Sequence, residues 1–168
     1  MDEQEQKILE TIKEFSKKLP KFPDGRIDYS NSNIAPVISV FVKHEDRILL
    51  LKRSNKVRVY QDIWSAIAGY LDELKPITQK VLEEIQEELG IKTAEDNILS
   101  IKIGRPYEFE DNRIQKTWIS HPVLIELKHK PQIKLDWEHV DYKWIKPEEL
   151  KNFDTPPKLG ESLKRVMD

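Results

Sequence analysis

The spacing of apolar residues along the chain predicts three helices and a set of strands. Apolar residues fall on one helical stripe over residues 3–19, and the same period returns over residues 76–89 and after residue 158. Short apolar or alternating runs predict strands, which cover residues 37–42, 48–51, 63–68, 99–103, 117–127 and 140–144. Because strands outnumber helices and interleave with them irregularly, we expect an α/β fold in which helices cover a mixed β-sheet.

A length of 168 residues provides material for one domain of ordinary size. Prolines and polar residues follow the first helix, so we expect residues 1–34 to form that helix and a connection, and residues 35–168 to form the domain. No run approaches the ~18 consecutive apolar residues of a membrane span, and the acidic N-terminus is unlike a secretory signal. We therefore expect a cytoplasmic protein with no membrane partner.

The charges are nearly balanced overall but unevenly distributed along the chain. The 28 basic and 30 acidic residues give a net charge of -2, which argues against bulk electrostatic binding of nucleic acid. Residues 43–58 contain six basic and two acidic residues, whereas residues 61–90 contain two basic and seven acidic residues. These segments could pair with each other, or they could share one anionic ligand, the bases directly and the acids through a divalent metal. The absence of cysteine excludes disulfides, zinc ribbons, iron–sulfur clusters and thiol nucleophiles.

Four glutamates lie in the last two turns of the second predicted helix, which Gly90 ends. Negative charge at this end opposes the helix dipole, at a cost of about 0.3 to 1 kcal/mol for each exposed group. The helical period places Glu84, Glu87 and Glu88 along one edge of the buried face. Crowded carboxylate oxygens suit Mg²⁺ or Mn²⁺, and a solvated acidic end of a surface helix is the alternative.

From Gly69 to Ile91 the sequence resembles the box of the Nudix hydrolases, written G-x5-E-x7-R-E-U-x-E-E-x-G-U, where U is a bulky aliphatic residue. Seven of the nine specified positions match, and they are Gly69, Glu84, Ile85, Glu87, Glu88, Gly90 and Ile91. The two departures are Lys75 in place of glutamate and Glu83 in place of arginine. Since the family's residues at these two places pair with each other, we expect Lys75 and Glu83 to form the same ion pair with exchanged charges. Loss of this pair in a non-catalytic domain is the alternative.

The resemblance implies the Nudix fold, a mixed β-sheet sandwiched between helices, here with an extra N-terminal helix. It also implies hydrolysis of the phosphoanhydride of a nucleoside diphosphate linked to another group. Glu84, Glu87, Glu88 and the backbone carbonyl of Gly69 would hold Mg²⁺ or Mn²⁺, and the bound metal would lower the pKa of a water molecule. Glu84 and Glu87 are the expected catalytic residues, and Glu84 could orient or deprotonate that water.

Candidate residues also lie outside the matching helix. Arg53 and Arg58 could contact phosphate groups, and the alternative is surface solvation or pairing with the acidic segment. Tyr70 could stack on a base, and the alternative is packing in the core. The family often places a further general base at a variable position outside the box. The candidates for this base are Glu108, Glu110 and Glu138.

These features together predict a Mg²⁺-dependent pyrophosphohydrolase that acts on a small nucleotide, such as a nucleoside triphosphate, a deoxynucleoside triphosphate or an ADP-ribose-like molecule. The alternative is a catalytically idle Nudix-fold module that binds a nucleotide or a protein partner. The departures at Lys75 and Glu83 motivate this alternative, as does the N-terminal helix, which could serve a partner or a homodimer. A related class with different chemistry is the Nudix-fold isopentenyl diphosphate isomerase, which resembles a cysteine-dependent catalyst. A chain without cysteine does not fit this class.

Overall fold

The computed structural model describes residues 1–92 and 97–167, in which three α-helices flank one eight-stranded sheet. The helices are α1 (Glu3–Lys18), α2 (Ile77–Leu89) and α3 (Leu159–Met167), and a 3₁₀ helix covers Pro147–Asn152. The strands are β1 (Ile34–His44), β2 (Arg47–Arg53), β3 (Trp64–Ser65), β4 (Ile67–Tyr70), β5 (Ile98–Ile103), β6 (Tyr107–Asp111), β7 (Lys116–Leu127) and β8 (His139–Ile145). The predicted domain end at residue 168 lies outside the described residues. None of the helices in these ranges is long and apolar enough to cross a membrane.

The sheet is mixed and follows the order β3-β2-β1-β7-β5, with β8 paired to β2, β4 to β1 and β6 to β7. β1 and β7 run parallel to each other, and the other strand pairs are antiparallel. β2 pairs with β1 at Lys43 and His44, whereas β4 pairs with β1 from Val37 to Val40. β2 and β4, which pair with the same edge of β1, therefore separate beyond the β1–β2 hairpin. Residues of both strands line the main cleft.

Each face of the sheet carries a hydrophobic core. Ile12 of α1 and Val81 of α2 belong to the same buried cluster as Ile38 of β1, whereas Leu163 of α3 belongs with Phe41 to a second cluster. Because successive side chains of a strand point to opposite faces, neighbouring residues of β1 enter different cores. Each fully buried side chain of this size contributes about 1.5 to 3 kcal/mol, so the two cores hold α1, α2 and α3 against the sheet.

Capping interactions set the ends of the first two helices. Asp2 begins α1, where its side chain accepts a hydrogen bond of 2.8 Å from the backbone N–H of Glu5. α2 begins after Pro76, which offers no side-chain cap, and Glu5 of α1 accepts a hydrogen bond of 3.1 Å from the backbone N–H of Thr78 instead. α2 ends at Gly90, whose φ of 67° is the left-handed conformation that glycine adopts readily. The N-terminal helix thus caps the helix that carries the box glutamates.

The structure differs from the predicted strands in three places. The run over residues 63–68, predicted as one strand, is divided into β3, which pairs with β2, and β4, which pairs with β1. Val140 and Tyr142 are 60% and 40% exposed, while His139 is buried, although the alternation places the apolar residues of β8 in the core. β8 lies at the edge of the sheet and pairs with β2, so its middle faces solvent. The pattern also does not predict β6, where Tyr107 and Phe109 are the apolar residues of a short run.

Candidate active site

A cleft of about 420 Å³ opens where β2 and β4 separate, between β4, α2 and the loop of residues 54–62. Its volume lies within the range of small-molecule sites. The basic residues in its wall are Arg26, Arg53, Arg58, Lys80, Lys116 and Lys158. The acidic residues are Asp72, Glu84 and Glu138. The excess of positive charge suits an anionic ligand.

Gly69 brings the backbone of β4 close to the carboxyl group of Glu84. A Cβ atom at position 69 would stand 3.6 Å from Cδ of Glu84, so a side chain here would occupy the space beside this carboxyl group. The Glu84 side chain is 15% exposed. Burial raises the pKa of its carboxyl group, and the nearby Lys80 ammonium acts in the opposite direction. Two of the predicted site residues therefore meet at the cleft wall.

Glu88, one turn further along α2, is 1% exposed, and neither carboxylate oxygen has a hydrogen-bond partner among the described residues. Burial raises the pKa of this carboxyl group far above its usual range, and the negative charges of Glu138 and Glu84 raise it further. A buried carboxylate without donors is costly unless it takes a proton or meets a cation. The Glu88 oxygens therefore fit a divalent cation, which would also offset the repulsion among the three carboxylates.

Glu87 does not share this environment. It is exposed to solvent and does not line the cleft. At 100° per residue, its position on α2 is rotated by 60° from Glu84 and by 100° from Glu88. Within residues 1–92 and 97–167, no three His, Asp or Glu side chains stand close enough together to hold a metal ion. The structure therefore brings Glu84 and Glu88 to one interior region without gathering all three glutamates into one cluster.

Lys80 is a buried cation that the sequence pattern did not single out. Its ammonium group lies 3.1 Å from Asp72, 3.3 Å from Glu73 and 3.2 Å from Glu84, and its side chain is 8% exposed. Burial disfavours the ammonium form, but the charges of Asp72 and Glu84 outweigh burial and raise the pKa of Lys80. The spacing of four residues between Lys80 and Glu84 on a predicted helix is the sequence signal for this contact. Lys80 thus holds one Glu84 oxygen and ties α2 to the loop after β4.

The ion pair expected between Lys75 and Glu83 is present. The Lys75 ammonium lies 3.1 and 2.9 Å from the two carboxylate oxygens of Glu83 and 2.9 Å from Glu73. The Lys75 hydrogen bonds lower the pKa of Glu83, and Glu83 raises the pKa of Lys75. With exchanged charges, the pair joins the loop before α2 to the body of that helix.

Arg53 holds the neighbouring loop in place. Its Nε donates a hydrogen bond of 3.1 Å to the carbonyl of Tyr60, and its Nη2 donates one of 3.0 Å to the carbonyl of Val59. Burial lowers the pKa of Arg53, while the negative charges of Glu138 and Glu88 oppose this shift. Arg53 therefore lies near Glu138 and Glu88, but two of its donors are bound to the loop backbone.

Arg58 and Tyr70 also line the cleft, as the expectation for substrate contacts requires. Arg58 is exposed and has no ion-pair partner within the part of the chain that the structure describes. The Tyr70 ring is 37% exposed, stacks on Tyr29 at 5.4 Å between centroids and lies 6.1 Å from the Trp118 ring. An aromatic wall therefore adjoins an exposed arginine that forms no ion pair among the described residues, although its charge acts on Asp28.

Of the three candidates for a further general base, Glu138 lines the cleft. Its charge acts on both Glu88 and Arg53, so it lies near these two residues. Glu108 and Glu110 are exposed and alternate on β6 with two residues that line the cleft, Tyr107 and Phe109. The pleat of β6 therefore turns both glutamates away from the cleft.

The connection after α1 forms part of the cleft wall, which the sequence pattern did not reveal. Arg26 and Ser30 line the cleft. The backbone N–H of Ile27 donates a hydrogen bond of 2.8 Å to the carbonyl of Asp72, and the Tyr29 hydroxyl donates one of 2.6 Å to the carbonyl of Leu71. A polar run with prolines predicts a connection but not its contacts, so only the structure places it here.

The chain resembles known proteins in its family pattern, its sequence and its fold. The NUDIX domain family model matches residues 33–167. Nucleoside triphosphatase NudI of Klebsiella pneumoniae is 24% identical over 121 residues, which are 70% of this chain and 86% of that protein. The MutT protein of Methanosarcina mazei has a TM-score of 0.64 at 22% identity, covering 80% of this chain and 94% of its own. A C. elegans Ap4A hydrolase in a binary complex has a TM-score of 0.61 at 19% identity, covering 78% and 93%.

A mixed sheet between helices, with box glutamates beside Gly69, defines the class of the Nudix hydrolases. The match over residues 33–167 shows that the chain belongs to the NUDIX domain family. The predicted family and α/β fold are therefore confirmed, and so is the predicted class of enzyme, a Nudix-type hydrolase acting on phosphoanhydrides. Hydrolases of this family act on nucleotides and generally use divalent metals such as Mg²⁺.

Proposed function

We propose that the protein is a Mg²⁺-dependent pyrophosphohydrolase whose substrate is a nucleoside diphosphate linked to another group. The expected substrates are nucleoside or deoxynucleoside triphosphates and ADP-ribose-like nucleotides. The observation that carries the proposal is the pair of Glu88 oxygens, which have no hydrogen-bond partner among the described residues. Glu88 is buried behind the wall of the cationic cleft, and the charges of two residues that line the cleft, Glu84 and Glu138, act on it. A hard cation bound there would offset the buried negative charge, and oxygen ligands are the kind that such a cation prefers.

Glu84, Glu88 and the carbonyl of Gly69 are the proposed metal-binding groups, with Glu87 joining them from the exposed side. A bound Mg²⁺ would lower the pKa of water and stabilise charge on the attacked phosphorus. The catalytic assignment of Glu84 and Glu87 stays part of this proposal. Lys80 orients Glu84, because its ammonium group holds one carboxylate oxygen at 3.2 Å.

Glu138 is the proposed general base. It lies in the cleft wall, whereas Glu108 and Glu110 are exposed and point away from the cleft. In the proposed step, a water oxygen bonds to phosphorus, and one of its two protons passes to the Glu138 carboxylate. The bond from phosphorus to the bridging oxygen breaks, and this oxygen leaves with the electron pair as part of the second phosphate product. Tyr70 and Arg58 contact the substrate, and Arg53 positions the loop that carries Arg58.

A substrate panel tests the proposal. The purified protein is incubated with nucleoside triphosphates, ADP-ribose, dinucleoside polyphosphates, and flavin and nicotinamide dinucleotides, each with Mg²⁺ or with EDTA. We expect release of phosphate, pyrophosphate or a nucleoside monophosphate from at least one of them with Mg²⁺, and none with EDTA. Tight binding of nucleotides without any turnover would favour the idle binding module instead.

The cytoplasmic location and the homodimer expected from the sequence are further parts of the proposal. The exposed side of α1 is the surface on which a second copy of the chain would pack. Light scattering of the purified protein distinguishes a dimer of about twice 19.9 kDa from a monomer.

A further inference from the structure

We propose a second anion-binding subsite, formed by Arg58 and Lys116, that takes a phosphoryl group carried by the nucleotide at a place other than the hydrolysed diphosphate. The inference rests on the proposed function only for the identity of the substrate. The binding of an anion at these two residues can be tested without turnover.

The basic residues of the cleft differ in what they already bind. Lys80 faces three carboxylates, and Arg26 lies 3.9 Å from Asp72. Arg58 and Lys116 both line the cleft and form no ion pair among residues 1–92 and 97–167, although the charge of Arg58 also helps to lower the pKa of the Asp28 carboxyl group. They lie close enough that the charge of Arg58 acts on Lys116. Two cations that repel each other across a cleft are stabilised by an anion between them.

Lys116 is fixed in place without being neutralised. Its ammonium group donates a hydrogen bond of 3.3 Å to the carbonyl of Tyr29 and a second hydrogen bond to the carbonyl of Ser32. Carbonyl oxygens orient an ammonium group but leave its net charge unbalanced. The N-terminal connection therefore presents a positive charge to the cleft.

Arg58 is presented by a loop that is already ordered. Arg53 binds the carbonyls of the next two residues, Val59 and Tyr60. The Tyr60 hydroxyl donates a hydrogen bond of 2.8 Å to Asp111 and accepts one of 3.1 Å from the Trp118 indole. These contacts restrict the backbone before a ligand arrives, so less conformational entropy is lost when Arg58 binds.

The subsite lies away from the proposed metal site. In the register of the sheet, Thr117 pairs with Ile34 and Gly69 pairs with Ile38. Lys116 therefore begins β7 about five residues, or roughly 17 Å, along β1 from the level of Gly69. Tyr70 and Trp118 lie on the cleft wall between these levels. A nucleotide whose diphosphate lies at Gly69 and whose base or sugar lies beside these rings can extend an anionic group to Arg58.

The chemistry of the two cations favours phosphate. The planar guanidinium of arginine matches phosphate oxygens through two parallel hydrogen bonds, and the lysine ammonium adds a second charge. A phosphate monoester carries close to two negative charges at neutral pH, so it balances both cations. The subsite therefore selects nucleotides with an additional phosphate on the sugar or on the linked group.

Isothermal titration in EDTA, where no hydrolysis occurs, tests the subsite with two probes. Adenosine 3′,5′-bisphosphate is expected to bind the wild-type protein about 10- to 100-fold more tightly than AMP. In Arg58→Gln and in Lys116→Gln this preference should fall to less than about threefold. Lys56→Gln is the matched control, because Lys56 is exposed on the same loop and does not line the cleft. It should retain the preference.

Equal affinity of the wild-type protein for both probes would overturn the subsite, as would a preference that survives Arg58→Gln. If Arg58→Gln fails to fold by circular dichroism, Arg58→Lys replaces it, and retention of a weaker preference in that variant supports the subsite. Displacement of the bisphosphate by inorganic phosphate at an equal concentration would overturn the claim that the nucleotide carries the anion. Bisphosphate preference without hydrolysis of any nucleotide in the panel, extended by a nicotinamide dinucleotide that carries a 2′-phosphate, would contradict the proposed function and leave the subsite standing.

Discussion

The carboxyl group of Glu88 shows how a single residue links stability to function. It is 1% exposed and has no hydrogen-bond donor among the described residues, so without a metal it is favoured in its protonated form. A residue that destabilises the metal-free fold and lies beside Glu84 and Glu138 is typical of a binding site.

Replacing Glu88 by glutamine should therefore stabilise the metal-free protein. The folded-state pKa lies above the usual value of 4.5, so above pH 4.5 the unfolded chain releases a proton that the folded chain keeps. Stability of the wild-type protein should consequently fall as pH rises from 4.5 to 7, and Glu88→Gln should lack this loss. The expected gain at pH 7 is about 1 to 3 kcal/mol. Urea unfolding in EDTA at several pH values measures it, and a less stable variant at pH 7 would contradict the prediction.

The ion pair between Lys75 and Glu83 should contribute only weakly to stability. Their side chains are 21% and 37% exposed, so the coupling energy should be modest, about 0.3 to 1 kcal/mol. Lys75→Glu and Glu83→Arg should each lower the free energy of unfolding, because each places like charges together. The double variant should recover most of the loss, and a double-mutant cycle in urea measures the coupling. Additive losses in the two single variants would show that the pair does not couple.

The sequence predicts some of these residues well and others not at all. Glu84 and Gly69 belong to a spaced motif, and the motif anticipates that they meet. The exposure of Glu87 depends on how α2 is rotated against the sheet, and the role of Arg58 depends on the loop that Arg53 holds. Neither can be derived from spacing along the chain.

Helix α1 supports the start of helix α2 directly. Glu5 supplies the cap that Pro76 does not provide, by accepting a hydrogen bond from the Thr78 backbone. Glu5→Ala should lower the free energy of unfolding by about 1 kcal/mol. Glu10→Ala is the control, because Glu10 is exposed on the same helix, and it should change stability by less than about 0.5 kcal/mol. Equal effects of the two substitutions in thermal unfolding would rule out the cap.

Apolar periodicity predicts α1, α2 and most strands, because burial on one face imposes that period. The short β6 escapes this prediction, since its pairing with β7 determines its conformation. The same limit applies to the connection after α1. Its hydrogen bonds to Leu71 and Asp72 join residues far apart in the sequence, and no local pattern records them.

Buried histidines should make the stability of the whole fold sensitive to acid. Burial, together with the charge of Arg53, lowers the pKa of His139 from 6.5 to about 4. Between these values the unfolded chain takes up a proton that the folded chain does not, so stability is lost as pH falls from 6.5 to 4. His139→Leu should remove about 3 kcal/mol of this loss.

Urea unfolding between pH 4 and 7 measures this difference. His129→Gln serves as the control, because His129 is exposed and should leave the pH dependence unchanged. The contribution of His139 opposes that of Glu88 between pH 4.5 and 6.5, so the comparison of each variant with the wild type isolates one group. A wild-type pH profile that His139→Leu leaves unchanged would be evidence against a neutral buried histidine.

The most direct test of a metal-dependent site at Glu84 and Glu88 is the rate of Mg²⁺-dependent hydrolysis by Glu88→Gln. Glutamine keeps the shape of the side chain but removes the charge that a cation needs. We predict a fall in kcat/KM of at least about 100-fold on the best nucleotide of the panel, in a protein whose thermal midpoint in EDTA equals or exceeds that of the wild type. A variant that hydrolyses the same nucleotide within about threefold of the wild-type rate would contradict the assignment of the metal site.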